Sequence, residues 1–327
     1  MDEFERIDRL IAPLARGHAG TFGLANDAAV LAPAPGNEIV LTKDMMAQGV
    51  HFLPDDPPDL VARKLLRTNL SDLAAMGARA RGYLLGLGLD GGRDEGWLEA
   101  FFAGLAQDQA TYDIVLLGGD TIVVPEGVLT LSLTAVGEMP AGTALTRSGA
   151  QPGDLVAVSG TLGDGALGLL VRLGRLLPQD TGDLAFLEGR YRLPEPRMAL
   201  GAGLAGLASA ALDISDGLVA DAGHLARRSG LRIELDWERI PLSPAAGRAV
   251  AGDGALRSAV TTGGDDYELL FTLAEERWDA VEELARACGT PVARIGRCLA
   301  GQGVAILDAQ GVDFAPRNGG WRHGHHG

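Results

Sequence analysis

Apolar residues set the first pattern in the chain. Phe4, Ile7, Leu10, Ile11 and Leu14 recur at helical spacing between residues 2 and 16. Shorter apolar runs near 27–32, 38–44, 81–89, 113–118 and 128–137 read as strands. Residues 58–76 carry a strong helical pattern, with Pro57 and Pro58 at its start and Gly77 after its end. A second such pattern spans 94–110. The turn-rich stretch TRSGAQPGD at 146–154 then interrupts the pattern, and the domain boundary is placed there, giving segments 1–148 and 149–327.

The second segment restarts with a strand at 154–159, a helix at 164–175 and a polar stretch, PQDTGD, at 178–183. A helix at 196–208, a strand at 210–214, a helix at 217–229 and a strand at 231–236 follow. A strand at 267–273, a helix at 275–288 and strands near 292–297 and 303–307 close it. Neither half shows strict βαβ alternation. The expectation is therefore an α+β (mixed α/β) fold of two domains, each a mixed sheet with helices, rather than one doubly wound sheet.

Composition narrows the classes. A chain of 327 residues with 46% apolar residues has material for two cores. A net charge of −15 disfavours nucleic acid, which is bound by basic surfaces, and suggests metal ions among the carboxylates. Cys288 and Cys298 are the only cysteines, so no disulfide framework and no CxxC metal pair is expected. The opening MDEFERIDRL is acidic and amphipathic, unlike a signal or transit peptide. No run approaches the roughly 20 apolar residues of a membrane span. A cytoplasmic protein with no membrane partner is expected. His323, His325 and His326 read as part of a terminal tail.

The informative polar feature is a set of aspartates in apolar surroundings. Asp27 lies in NDAAVL, Asp44 in LTKDMMAQGVHF, Asp72 in NLSDLAAMGA and Asp120 in LLGGDT. Asp213 and Asp216 flank Ile214 and Ser215 in DISDGL, and Asp265 and Asp266 lie in TTGGDDYELLF. Singly, each has a structural reading. Asp72 can pair with Arg67 or Lys64 inside a buried helix, and Ser215 and Asp216 can cap the helix that follows. Thr42 and Asp44 share one strand face, with Lys43 on the other.

Together they point further. Two carboxylates about 4 Å apart repel by about 4 kcal/mol at an effective dielectric of 20, so a converging set needs cations. An oxygen-only donor set suits Mg²⁺ or Ca²⁺ rather than Zn²⁺, and the EF-hand spacing is absent. Mg²⁺ is usually shared with substrate phosphates, which suggests a Mg²⁺–nucleotide enzyme. The glycines Gly160, Gly163 and Gly165 in SGTLGDGALG read as a tight turn, with a phosphate cradle as the other possibility. Arg147 in the boundary segment can bridge domains or meet a phosphate.

The motifs NDAAVL, TKD with MMAQGVHFLPD, NLSDLAAMGA, LLGGDT, ALTRSGAQPGD, DISDGL and GGDDYEL occur in the order and spacing of the thiamine-monophosphate kinase family, which this chain resembles from about residue 20 to GGW at 319–321. The wider superfamily includes aminoimidazole ribonucleotide synthetase, selenophosphate synthetase and the hydrogenase-maturation dehydratase. The resemblance implies direct transfer of the ATP γ-phosphoryl group to thiamine monophosphate, with several Mg²⁺ ions. It implies metal contacts from Asp27, Thr42, Lys43, Asp44, Asp72, Asp120, Asp213 and Asp216. ATP would meet Gly119, Asp120, Arg147, Ser215 and Tyr112. Thiamine monophosphate would meet His51, Asp265 and Trp321. A homodimer with paired N-terminal sheets is also implied.

The chain departs from the family pattern at Asn26, where an Asp is usual, and at Lys43, where a hydroxyl residue is common and the backbone carbonyl remains available. It departs again at Asp265, in place of a Glu, and at Trp321, in place of a smaller aromatic. Two alternatives stay open on residues alone. One is another ATP-using enzyme of the superfamily, although the N-terminal Cys of a selenophosphate synthetase is missing. The other is a non-catalytic acidic Mg²⁺-binding protein.

Overall fold

In the computed structural model, residues 7–15 and 18–315 are described. They pack as two units. The first holds the chain up to Leu73 together with Ala78–Gly142, and the second holds Ala74–Gly77 and the chain from Thr143 onward.

The first unit is built on four strands, β1 (Asn37–Ala47), β2 (Arg79–Asp90), β3 (Val115–Val124) and β4 (Thr130–Pro140), in the order β1-β4-β2-β3. The sheet is mixed: β4 is antiparallel to β1 and β2, while β3 runs parallel to β2. Helix α1 (Pro58–Ala75) and helix α2 (Glu95–Tyr112) complete the unit. Helix α1 starts at a proline and ends just before Gly77, whose φ of 77° breaks helical geometry without a Cβ clash. Helix α2 is capped by Asp94, whose side chain accepts from the Trp97 N–H at 2.7 Å. The two helices are tied by Asp108, fully buried, which takes Nε of Arg67 at 2.6 Å and Nε of Arg63 at 3.0 Å.

Helix α1 covers the face of the sheet to which Thr42 and Asp44 point. On the opposite face Ile39, Leu41, Met45, Leu84 and Ile122 are exposed. The strand expected at 27–32 does not form; that stretch is extended or bent, with Val30 donating to the Gly20 carbonyl at 2.8 Å. Pro33 and Pro35 close the run, and proline removes the N–H groups that a ladder would need. Of the helix expected at 2–16, the described part is a π-helical turn at Ile7–Ile11 and a 3-10 turn at Ala12–Ala15.

The second unit carries the strands β5 (Leu155–Ser159), β6 (Ala210–Asp213), β7 (Arg232–Asp236), β8 (Leu269–Leu273), β9 (Val292–Leu299) and β10 (Gly303–Leu307) in the order β10-β7-β9-β5-β8-β6. All its pairings are antiparallel except β10 with β7. Its helices are α3 (Asp164–Arg172), α4 (Thr181–Arg192), α5 (Met198–Leu204), α6 (Leu218–Ser229), α7 (Pro244–Gly252), α8 (Leu256–Thr262) and α9 (Trp278–Cys288). One core joins Val156, Val158, Leu212, Ile233 and Leu270 to Leu167, Leu225 and Val260 of the helices. A second, on the other sheet face, joins Leu155, Ala157 and Phe271 to Leu200, Leu204, Trp278 and Val281.

The polar stretch 178–183 is not all loop. Asp180 caps α4 by accepting from the N–H groups of Gly182 and Asp183. Among the described residues no helix is long and apolar enough to cross a membrane.

Candidate active site

Within the first unit the sequence-predicted residues fall into two places. The larger group lies where β1 meets α1. The Thr42 hydroxyl donates to Oδ2 of Asp72 at 2.5 Å. The Asp44 N–H donates to Oδ1 of Asn69 at 3.1 Å, while Nδ2 of Asn69 donates to the Leu65 carbonyl at 2.9 Å. Asn69 is fully buried, so its two bonds fix the strand to the helix at Asp44. Burial pushes the Asp44 carboxyl above its ordinary value, against a hydrogen bond from Thr68 and the nearby His51. A half-buried carboxyl that resists ionising alone fits a place where a cation compensates it.

His51 follows in the turn after β1. Its Nδ1 accepts from the Ala47 N–H at 3.1 Å, which puts the ring proton on Nε2. Its carbonyl accepts from Nζ of the buried Lys64 at 3.2 Å. Lys43 points to the other face of the sheet and donates to the Ser132 hydroxyl at 2.5 Å, which leaves its backbone carbonyl as the oxygen it can offer.

Gly119 and Asp120 lie elsewhere, on β3. Asp44 pairs with Leu133, Leu133 with Leu85, and Leu85 with Gly119, so the two groups sit on opposite edges of the sheet. Three strand spacings separate them, roughly 14 Å. Register also puts Asp120 on the face away from α1, where it is exposed and accepts from the Thr121 N–H at 2.8 Å. At Gly119 a Cβ would lie 2.0 Å from the Leu85 carbonyl oxygen, so only glycine lets β3 approach β2 there. Asp27 is exposed in the bend before β1. Tyr112 ends α2, and the Arg67 guanidinium stands 5.4 Å from its ring centroid.

In the second unit the structure brings several predicted residues together beyond the end of β6. Asp213 is buried at that end, paired with Leu269. The next residues turn sharply and are laced to the segment before β8. Ile214 donates to the Glu268 carbonyl at 2.8 Å, Tyr267 to the Ile214 carbonyl at 2.8 Å, and Asp265 to the Ser215 carbonyl at 3.1 Å. Asp213, Ser215, Asp216 and Asp265 therefore share one end of the sheet. Asp265 and Tyr267 both adopt left-handed backbone, at φ 71° and 52°, conformations that cost energy outside glycine and collect at functional sites.

Asp266, between them, does something different. It is buried, and its two oxygens accept from the N–H groups of Gly163 at 2.7 Å and Gly165 at 3.1 Å. The start of α3 is thus filled by a carboxyl group of the chain itself, so SGTLGDGALG is a turn and not a phosphate cradle. Burial pushes Asp266 up to about 8, against those two N–H groups and with Asp164 and Glu268 adding to the rise. Glu268 is fully buried and paired with Arg190 and Arg197.

Two residues here were not singled out from sequence as site members. Asp216, Asp221 and His224 offer two carboxylate oxygens and a ring nitrogen within 4.8 Å of one another. Burial first, then the Asp216 carboxylate, pushes Asp221 up to about 7, against the Asp216 and Ser215 N–H groups and Arg147. Burial, then Arg227 and Arg147, lowers the pKa of His224. The positive charge of Arg147 acts on both Asp221 and His224. The available signal was the i,i+3 spacing of Asp221 and His224 on one face of α6, five residues after Asp216. Trp321 lies outside the described residues, as do His323, His325 and His326.

The chain matches two family models, the AIR synthase related protein N-terminal domain over residues 25–139 and the corresponding C-terminal domain over 151–308. It is 46% identical to the thiamine-monophosphate kinase of Caulobacter vibrioides, covering 98% of this chain and 91% of that protein. It resembles the crystal structure of thiamine-monophosphate kinase from Stenotrophomonas maltophilia K279a with a TM-score of 0.84 at 42% identity, covering 94% and 96% of the two chains. It also resembles a structure of AaThiL complexed with AMPPCP and TMP, with a TM-score of 0.78 at 32% identity and coverage of 93% and 97%.

Proposed function

The chain belongs to the thiamine-monophosphate kinase family, and from that premise we propose that it transfers the γ-phosphoryl group of ATP to thiamine monophosphate, giving thiamine diphosphate and ADP. One observation carries this reading. A relative matched over nearly all of both chains holds an ATP analogue and TMP together, which are the donor and acceptor of that reaction. The chemistry suits the residues. A phosphate monoester has a second pKa of about 6 and is already nucleophilic near neutrality, so no strong general base is needed. What the protein must supply is alignment and neutralised charge.

Mg²⁺ is the metal that the donor set fits, because Asp27, Thr42, Asp44, Asp72, Asp120, Asp213 and Asp216 offer only oxygen, with the Lys43 carbonyl beside them. When bound, several such ions screen the phosphates and fix donor against acceptor. On this reading Thr42, Asp44 and Asp72 form one preformed group, which Asn69 orients. Ser215, Asp216 and Arg147 form another, at which Arg147 meets nucleotide phosphate. Gly119 and Asp120 contact ATP at β3. Tyr112 is retained only as a weaker nucleotide contact, given its Arg67 neighbour. His51, through Nε2, and Asp265 contact thiamine monophosphate, with Trp321 stacking on the thiazolium.

The exposed apolar face carrying Leu41, Met45, Leu84 and Ile122 supports a homodimer formed through the first sheet. The segment 1–148 then serves nucleotide, metal and dimer contacts, and 149–327 adds metal, nucleotide and substrate contacts. An enzyme that works on ATP and a vitamin phosphate is expected in the cytoplasm. The test is direct: protein, ATP, Mg²⁺ and thiamine monophosphate are mixed, and thiamine diphosphate is expected with stoichiometric ADP. ADP formed only with a formylglycinamidine substrate, or no turnover, sinks the reading.

A further inference from the structure

Asp221 stands in the first turn of α6 and is 4% exposed. Its backbone N–H makes the ordinary helical bond to the Gly217 carbonyl at 3.0 Å. Its side chain turns back toward the start of the helix. There a single oxygen, Oδ2, accepts from the Ser215 N–H at 3.1 Å and the Asp216 N–H at 3.0 Å. These are consecutive amides of the turn between β6 and α6. The Asp265 N–H holds the same turn from the other side, through the Ser215 carbonyl.

The flanks of the turn do not depend on Asp221. Ile214 and Leu218 are buried in the apolar core of the unit. Loss of the carboxylate therefore frees the turn between them, Ser215 to Gly217, and not the strand or the helix. One side-chain oxygen that accepts two consecutive N–H groups fixes their direction as well as their position. It sets where the Ser215 side chain and the Asp216 carboxylate project. One buried side chain thus touches the backbone of two expected nucleotide and metal contacts.

We propose that Asp221 is a positioning residue for phosphoryl transfer: through its two N–H bonds it holds Ser215 and Asp216 in the orientation that receives Mg²⁺–ATP, without meeting the nucleotide itself. The inference rests on the assignment of Ser215 and Asp216 to nucleotide and metal.

The test uses the full chain with Asp221→Ala and Asp221→Asn. Asparagine keeps a carbonyl oxygen that accepts both N–H bonds; alanine keeps none. Circular dichroism reports the fold, and calorimetric titration with AMPPCP in excess Mg²⁺ reports binding independently of turnover. Folded D221A is expected to bind the analogue at least about tenfold more weakly, with a matching rise in the Mg²⁺ needed for half-maximal activity. D221N is expected to stay within about threefold of the unsubstituted chain, because the bonds and not the charge are at issue. Binding by folded D221A within about twofold of the unsubstituted chain overturns the inference, as does D221N as weak as D221A. If D221A does not fold, D221N decides alone: near-normal binding supports the role and a tenfold loss refutes it. If the unsubstituted chain binds the analogue but makes no thiamine diphosphate, the kinase reading fails while this test still reads out.

Discussion

The hydroxyl of Thr42, on β1, donates to Oδ2 of Asp72, on α1, at 2.5 Å. The strand and the helix thus present their oxygens as one unit. Asp72→Asn is expected to lower thiamine diphosphate formation by more than about tenfold while leaving the fold intact, since the amide keeps one oxygen but loses the negative charge that holds a hard cation. Thr42→Val should cost about 1 kcal/mol of stability through the lost hydrogen bond, and activity besides. Turnover assays and urea unfolding read the two effects separately. Unchanged turnover in D72N would remove Asp72 from the metal site.

Asp108 carries a different weight. It is fully buried and answers the guanidinium groups of Arg63 and Arg67. Asp108→Ala removes the carboxylate shared by two nearly buried cations, a change expected to cost about 3–5 kcal/mol. Denaturant midpoints of the two proteins check this, and a loss below about 1 kcal/mol would show that water already screens the pair.

Gly119→Ala should fail for reasons of backbone and not side chain. Its Cβ would stand 2.0 Å from the Leu85 carbonyl oxygen, so β3 must move away from β2 and take Asp120 with it. A lower melting temperature together with weaker ATP binding is expected. Loss of stability with unchanged nucleotide affinity would detach this part of β3 from the site.

The pH response follows from Asp266. Unfolded, its carboxyl titrates near 3.9, whereas in the fold burial pushes it up to about 8. Between those values the folded chain holds the extra proton. The contribution of this group is therefore complete below pH 4 and is lost as pH rises through about 8. Asp266→Asn should remove that part of the slope, and chemical denaturation at pH 5 and pH 8.5 compares the two. Parallel pH curves for both proteins would contradict it.

Leu41 and Met45 are 67% and 58% exposed on the outer face of β1. If two copies pair through that face, Leu41→Glu with Met45→Glu buries two charges at the interface and should give monomers by light scattering. A wild-type chain that is already monomeric at micromolar concentration would rule out the pairing.

Much of the fold is legible in the sequence where local signals are strong. Helix α1 was expected at 58–76 and lies at Pro58–Ala75, because proline and glycine punctuate both ends. Helices α7 and α8 were not read. Pro244–Gly252 and Leu256–Thr262 are short and split by Asp253 and Gly254, so their apolar period is too brief to register. The run at 27–32 misled because apolar content suggests a strand, while pairing needs a partner that the sequence does not show. At the site, the shared face of Thr42 and Asp44 followed from alternation along one strand. The separation of Asp44 from Asp120 is set by strand order, and the grip of Asp221 on Ser215 and Asp216 needs a side chain folded back over its own turn. The first is not encoded locally, and the second, though local, leaves no periodic mark in the sequence.

Strand β1 lies at an edge of its sheet and is 11 residues long, a length at which open N–H and C=O groups invite a foreign strand. At Asp44 that invitation is withdrawn, since the N–H is already given to the Asn69 side chain. An intruding strand would find its ladder interrupted midway. The residue that ties Asp44 to α1 thereby also guards the chain against templated self-assembly along this edge.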